Sequence, residues 1–241
     1  MNIRNKVAVV TGASSGIGFS TAGLLTKDGA RVALVARSLN KLKELAKELK
    51  GSFVVKTDMS KEGEIRKMIK EVKEHFGRID ILVNNAGRGY DASIEKTDIK
   101  LFRDLSELDL IGPLVAMQEV IPVMKKQGGG VIVNISSGTA LMTLPNMAGY
   151  SALKRAVVGL SLTAREELKK DKISVSVVYP FITNTDFEKN TLKSGEKFEY
   201  SGGVGNIPDA DPPELIAEKI VEAIKTGKAE IFAHDWMKRR E

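Results

Sequence analysis

The sequence predicts a single α/β domain over residues 1–241, built on a doubly wound, seven-stranded parallel sheet. Three observations predict it: seven short β-branched runs, helix-period segments between most of them, and a glycine-rich loop directly after the first run. The runs are VAVV, RVALVA, SFVVK, DILVN, VIVNI, ISVSVV and EIFA, each nearly continuous in apolar character. Strands buried on both faces of a parallel sheet read in this way. At 241 residues the chain can bury one substantial core, and no composition break or fixed-period repeat divides it.

Taken in order, VAVV is followed by TGASSGIG and then by the helical run FSTAGLLTKDGA. Gly12, Gly16 and Gly18 allow a tight turn and close backbone approach, and the helix behind them points its free amides at the loop. That is the physical logic of a dinucleotide pyrophosphate site, although the spacing is G-x-x-x-G-x-G rather than G-x-G-x-x-G. The bland alternative is a turn that needs glycine only for its geometry. The second run ends VALVARS, with Ala36 where an acid would accept from a ribose 2′-hydroxyl and Arg37 beside it. A guanidinium grips a 2′-phosphate that a carboxylate would repel, so NADP(H) is expected over NAD(H); otherwise Arg37 is a surface arginine.

Next, KLKELAKELK carries Leu42, Leu45, Ala46 and Leu49 as an inward stripe, with Lys and Glu alternating outside. This bears on the net charge of +6, which by itself invites a nucleic-acid partner. Interleaved charges make a solvated face rather than a phosphate-binding patch, so no nucleic acid is expected. Residues 61–76 form a second amphipathic helix with Ile65, Met68, Ile69, Val72 and Phe76 on one face. Residues 213–226 form another, with Leu215, Ile216, Ile220, Ala223 and Ile224. Between about Asn184 and Pro212 the chain is rich in Gly, Pro and charge, and a long irregular segment in a compact domain is expected to be a substrate lid.

Composition closes off other classes. The chain has no cysteine, which excludes disulfides, thiolate zinc sites and cysteine nucleophiles. His75 and His234 lack an acidic cluster, so no metal site is expected. No apolar run approaches the roughly 20 residues of a membrane helix, and MNIRNKVAVV is too short in apolar character for a secretory signal, so a cytoplasmic protein is expected.

GYSALKRAVVGL places Tyr150 and Lys154 one helical turn apart on one face, either as a wet surface pair or as an acid with its tuner. Four motifs together decide it. TGASSGIG at 11–18, NNAG at 84–87, ISS at 135–137 and YSALK at 150–154 occur in the order of the short-chain dehydrogenase/reductase family, which the chain resembles along nearly its whole length. The resemblance implies a Rossmann-like NADP-dependent enzyme acting on a small-molecule carbonyl or alcohol, with a homotetramer or homodimer as its assembly. It implies that Gly12, Ser14, Ser15, Gly16, Ile17 and Gly18 hold the pyrophosphate and that Arg37 and Ser38 flank the ribose phosphate. Asp58 would bind adenine, and Asn84, Ala86 and Gly87 the adenosine side. Pro180, Thr183 and Thr185 would contact the nicotinamide amide and pyrophosphate. Ser137, thirteen residues before Tyr150, would orient the carbonyl; Tyr150 would be the acid or base; Lys154 would lower its pKa and hold the nicotinamide ribose.

The chemistry supports those roles. A free phenol has pKa about 10, so service as a base near neutrality needs a shift of about 3 units, or roughly 4 kcal/mol in favour of the phenolate. A serine hydroxyl at a carboxyl end of the sheet can stabilise the oxyanion formed by hydride arrival. The chain departs from the family twice. LDLIGP puts Asp109 where the family has an Asn whose backbone carbonyl holds a water behind the lysine, and an ionised Asp109 would hold Lys154 charged or draw it off Tyr150. Pro180-Phe181 replaces Pro-Gly, so Phe181 is expected in ordinary β-region backbone. The alternative to an enzyme is a catalytically weak NADP-binding regulator. Met142, Met147, Phe187 and Phe198 suggest an apolar pocket wall.

Overall fold

A computed structural model describes residues 1–194 and 210–238. In chain order it begins with β1 Val7–Thr11, α1 Gly16–Lys27, β2 Arg31–Ala36, α2 Leu39–Glu48, β3 Phe53–Lys56, α3 Glu62–Phe76 and β4 Ile81–Asn84. A two-residue strand β5, Tyr90–Asp91, precedes α4 Ile99–Ser106, a π-helical turn Glu107–Ile111 and α5 Gly112–Lys126. Then follow β6 Gly130–Ile135, α6 Ala148–Leu168, β7 Ile173–Tyr179, the short β8 Leu192–Lys193, α7 Pro213–Thr226 and β9 Glu230–Phe232.

Seven strands form one sheet in the order β3-β2-β1-β4-β6-β7-β9, every pairing parallel. All seven are the runs read from sequence. Their side chains alternate between two cores. Ala8 and Val10 of β1 face the layer of α1, α2 and α7, with Leu25, Leu42 and Ile220. Val7 and Val9 face the layer of α3, α5 and α6, with Ile65, Val120 and Leu168. Because both faces are covered, the strands are apolar along most of their length, and β1, β4 and β6 are buried throughout, with Thr11, Asn84 and Asn134 as their buried polar residues. Fully burying each Val, Leu or Ile is worth roughly 1.5–3 kcal/mol, which is how the chain dispenses with cross-links.

Helix ends follow local chemistry. α3 and α7 stop at Gly77 and Gly227, both left-handed, with φ 78° and 66°. α7 starts with Pro213 after an extended Pro212, where the lost amide costs nothing. The strand order reverses between β1 and β4, on either side of which the crossovers run to opposite faces. Open α/β sheets bind ligands outside the carboxyl ends of the strands at such a point.

Part of the segment expected to act as a lid, 184–212, lies outside the described residues, as does Phe198. Its two feet are described. Thr183 and Asp211 form a parallel bridge, with the Asn184 amide donating to Asp211 O and the Asp211 amide to Ile182 O, each at 2.8 Å. The first leg reaches β8, which pairs with β5 in a separate two-stranded sheet.

Candidate active site

At the end of β1, Gly12 and Gly16 take φ of +68° and +52°, left-handed values open to glycine. A Cβ on Gly18 would stand 2.4 Å from Gly12 O, and one on Gly16 would stand 2.8 Å from the Thr185 methyl. The loop thus closes on itself, with Thr185 laid over it. Ser15 is the N-cap of α1 but its side chain caps nothing, so the first-turn amides, with Ile17 behind them, remain available to a ligand. Anionic pyrophosphate is what such an end attracts, and the cradle fits it.

Two residues that the sequence reading passed over hold this loop in place. Thr11 Oγ1 accepts from the amides of Asn85 and Ala86, each at 3.0 Å, and Asn85 Nδ2 donates to Thr11 O at 2.9 Å. A hydroxyl residue closing an otherwise apolar strand was the available signal. Asn84 was expected on the adenosine side, but its side chain turns into the interior and donates to Asn134 Oδ1 at 2.8 Å. Only its backbone can meet a ligand, because successive residues of β4 point to opposite faces.

Ala36 is buried at the end of β2, while Arg37 and Ser38 are exposed beyond it. Asp58 accepts from the Ser60 amide at 3.0 Å and the Ser60 hydroxyl at 2.8 Å. Burial works against its charge, but these bonds and the charges of Arg37 and Lys61 hold its carboxyl below the usual range. Arg37 and Asp58 share a depression of about 390 Å³ with Lys56 and Lys67.

Ser137, at the end of β6, caps a short 3-10 turn and accepts from the Thr139 amide at 3.2 Å. Gly138 lies under Pro180, donating to its carbonyl at 2.7 Å. Phe181 has no left-handed backbone, as expected, and its ring meets Trp236 edge-on at 5.0 Å. Thr183 Oγ1 donates back to Phe181 O at 2.9 Å.

Tyr150 and Lys154 lie on α6 and are each 5 % exposed, which excludes the wet surface pair. Lys154 Nζ sits 5.6 Å from the Tyr150 ring centre and donates to Ile135 O at 3.3 Å. Phe187 lies 5.9 Å from the same ring, and Tyr90, Leu105 and Leu153 pack around it. Met147 joins that wall, whereas Met142 contributes its carbonyl to Arg155.

Asp109, wholly buried in the π-helical turn, places Oδ2 3.0 Å from Lys154 Nζ and accepts the Arg88 amide on Oδ1 at 3.0 Å. The ionic contact is close but poorly directed, and Oδ2 has no hydrogen bond of its own. A π-turn adds a residue to the helical repeat and re-aims a side chain. Gly112, pressed on Met59 O, allows that helix to approach. Burial raises the Asp109 carboxyl above its ordinary value, although Lys154 and the Arg88 amide pull the other way. Burial lowers Lys154, but Asp109 and Tyr150 overcome it and hold the ammonium above its ordinary value. An ammonium 3.0 Å from Oδ2 and an amide donating to Oδ1 both favour the carboxylate, and the pair is ionic.

The phenol departs from expectation. Burial is the largest influence and pushes it up, the Lys154 ammonium pulls it down, Asp109 pushes it up again, and a hydrogen bond with Ser137 pulls it down. The net direction is upward: Lys154 acts with the expected sign, but burial and the carboxylate behind it prevail.

A doubly wound sheet with this loop, and a Ser, Tyr and Lys at its carboxyl edge, defines a nucleotide-dependent oxidoreductase class. The short chain dehydrogenase family model matches residues 6–195, and the chain belongs to that family of dehydrogenases and reductases. Among relatives, a 3alpha-hydroxysteroid dehydrogenase of Mediterraneibacter gnavus is 38% identical over 77% of this chain and 77% of its own. An alcohol dehydrogenase from the archaeon Thermococcus sibiricus, complexed with 5-hydroxy-NADP, superposes with TM-score 0.83 at 29% identity, covering 99% of this chain and 100% of its own. A 3-ketoacyl-(acyl-carrier-protein) reductase from Brucella melitensis, complexed with NADH, gives 0.85 at 28% identity over 96% and 98%.

Proposed function

We propose that the protein transfers a hydride between NADP(H) and a carbonyl or secondary alcohol, with Tyr150 as general acid in reduction and general base in oxidation. The observation that carries this reading is that Ser137, at the carboxyl end of β6, shares its edge of the sheet with Tyr150 and Lys154, two buried residues one turn apart on α6, Lys154 Nζ donating to Ile135 O at 3.3 Å just before the serine. The nicotinamide supplies or accepts the hydride when bound. Ser137 donates to the substrate oxygen and stabilises the charge that develops there. Tyr150 then delivers its proton to that oxygen, and the ammonium of Lys154 compensates the phenolate left behind. Burial favours the protonated phenol, the form that reduction requires.

Arg37 and Ser38 would receive the 2′-phosphate and Asp58 the adenine amino group, which its lowered carboxyl can accept as an anion. The related structures carry NADH in one case and an NADP derivative in another, so the choice rests on Ala36-Arg37. The ring of Phe187 over Tyr150 and the cluster around Tyr90 favour an apolar ketone, as do the steroid and ketoacyl names of relatives. The same reading makes the protein a cytoplasmic homodimer or homotetramer, its mass measurable by light scattering.

Oxidation of NADPH and NADH against a panel of ketones tests the proposal. NADPH should be preferred, and Arg37→Asp should weaken NADPH at least tenfold more than NADH. Equal use of the two cofactors would overturn the NADP assignment. Tight NADPH binding with no turnover on any carbonyl would point instead to a regulator.

A further inference from the structure

A single buried carboxylate touches two parts of the site that the chain reaches by different routes. Asp109 Oδ2 lies 3.0 Å from the Lys154 ammonium, and Oδ1 accepts the Arg88 amide at 3.0 Å. Arg88 is not a free residue at its other end: its Nε donates to Asn190 O at 2.6 Å. Leu192 N donates to Gly89 O at 2.9 Å, and Ser194 N to Asp91 O at 3.1 Å. The ribbon of β5 and β8 is thereby fixed to the π-helical turn, and the leg before β8 carries Phe187 against Tyr150. Gly87, between the two grips, leaves no slack, since a Cβ there would lie 3.1 Å from Asp109 Oδ2 and 3.3 Å from Lys154 Nζ.

The charges around the phenol are few. Among the described residues, Lys154 from its own helix and Asp109 from the π-helical turn act on it, with the Ser137 hydroxyl from the end of β6 and the Phe187 ring from the leg before β8. Among the described residues, Asp109 is acted on by Lys154 and the Arg88 amide, and Lys154 by Asp109, Tyr150 and the Ile135 carbonyl to which it donates. An anion 3.0 Å from the ammonium offsets part of the field that would otherwise favour phenolate and adds to the effect of burial.

Resting on the function proposed above, we propose that Asp109 is a positioning residue that does two things at once. It holds the ribbon of β5 and β8 through the Arg88 amide, and its negative charge offsets the pull of Lys154 on the phenol, so that Tyr150 rests protonated, poising the site for carbonyl reduction rather than alcohol oxidation. The two grips can be separated by mutation. Asp109→Asn keeps an acceptor for the Arg88 amide but removes the charge, whereas Asp109→Ala removes both.

Tyrosinate absorbance titrated in the wild-type protein and in Asp109→Asn, each against its Tyr150→Phe counterpart, reports the phenol without any turnover. The ionisation midpoint should fall by about one pH unit or more in Asp109→Asn, as expected for loss of a nearby like charge. Hydrogen exchange at the Arg88 amide should match wild type in Asp109→Asn and be at least tenfold faster in Asp109→Ala. Should Asp109→Ala not fold, Asp109→Leu fills the space without an acceptor and gives the same comparison. A midpoint unmoved or raised in Asp109→Asn overturns the electrostatic role, and wild-type exchange in the Ala or Leu variant overturns the grip on the ribbon. Neither readout needs a substrate, so failure here is distinct from failure of the wild-type protein to reduce any ketone.

Discussion

Gly18→Ala adds one methyl group where the glycine loop meets α1. The new Cβ would stand 2.4 Å from Gly12 O and 2.6 Å from Asn85 Nδ2. Neither neighbour can yield freely, because Gly12 is itself held at φ +68° and Asn85 is bonded to Thr11 O at 2.9 Å. Overpacking of a rigid site costs about 1–3 kcal/mol. Alanine inside a helix recovers about 0.5–1 kcal/mol over glycine. The net loss of about 1–2 kcal/mol lowers Tm by roughly 2–8 °C for a domain of this size. The displaced loop should also weaken NADPH binding at least tenfold, measured by cofactor fluorescence alongside thermal unfolding. Gly63→Ala is the matched control: on α3 nothing lies within 4 Å of its Cβ, so it should raise stability by about 0.5–1 kcal/mol. Unchanged Tm and unchanged NADPH affinity in Gly18→Ala would refute the close packing on which the cradle rests.

Asp80 is 2% exposed and accepts from the Val7 amide at 2.9 Å and from Arg78 Nη2 at 2.6 Å, joining β1 to β4. Breaking a buried pair costs about 3–5 kcal/mol, but Arg78 and Lys6 are partly exposed, so Asp80→Asn should cost about 2 kcal/mol, seen as a Tm roughly 4–8 °C lower. Burial opposes its charge, yet Arg78, the Val7 amide and Lys6 set the Asp80 carboxyl below its ordinary value. Its stabilisation is therefore full above the unfolded carboxylate range and declines as pH falls through the folded value, and acid titration of Asp80→Asn should show a shallower loss than wild type. Tyr150→Phe should lower kcat for ketone reduction by about 10²–10⁴ while leaving NADPH affinity within a few fold, read by steady-state kinetics and fluorescence.

Strands were the most legible part of the fold, since a strand buried on both faces is apolar along most of its length, as RVALVA is after Arg31 and ISVSVV is apart from two small serines. Helix α7 was read over 213–226 from its apolar stripe, and the structure starts it at Pro213 and stops it before Gly227. What sequence hid was long-range or phase-dependent. The two-residue strands β5 and β8 have no pattern of their own and exist only because each finds the other. Asn84 and Asn85 are adjacent and identical in type, and only the alternation of β4 decides that one enters the interior while the other braces the loop. Tyr150 and Lys154 were legible as neighbours on one face, but the direction of the phenol's shift depended on burial and on Asp109, forty-one residues upstream.

The bridge between Thr183 and Asp211 has a consequence for how such a protein can change over evolutionary time. With Asn184 and Asp211 joined at 2.8 Å, the chain between them leaves and rejoins the scaffold at one spot, beyond the end of β7. Lengthening a loop whose ends are already fastened costs only about 0.6 kcal/mol for each doubling. The leg as far as β8 is tied down, through Thr185 on the glycine cradle, Phe187 on Tyr150 and the pairing of β8 with β5, so the stretch between β8 and Asp211 is where length and composition can be rewritten while the sheet and the Tyr150 site keep their register.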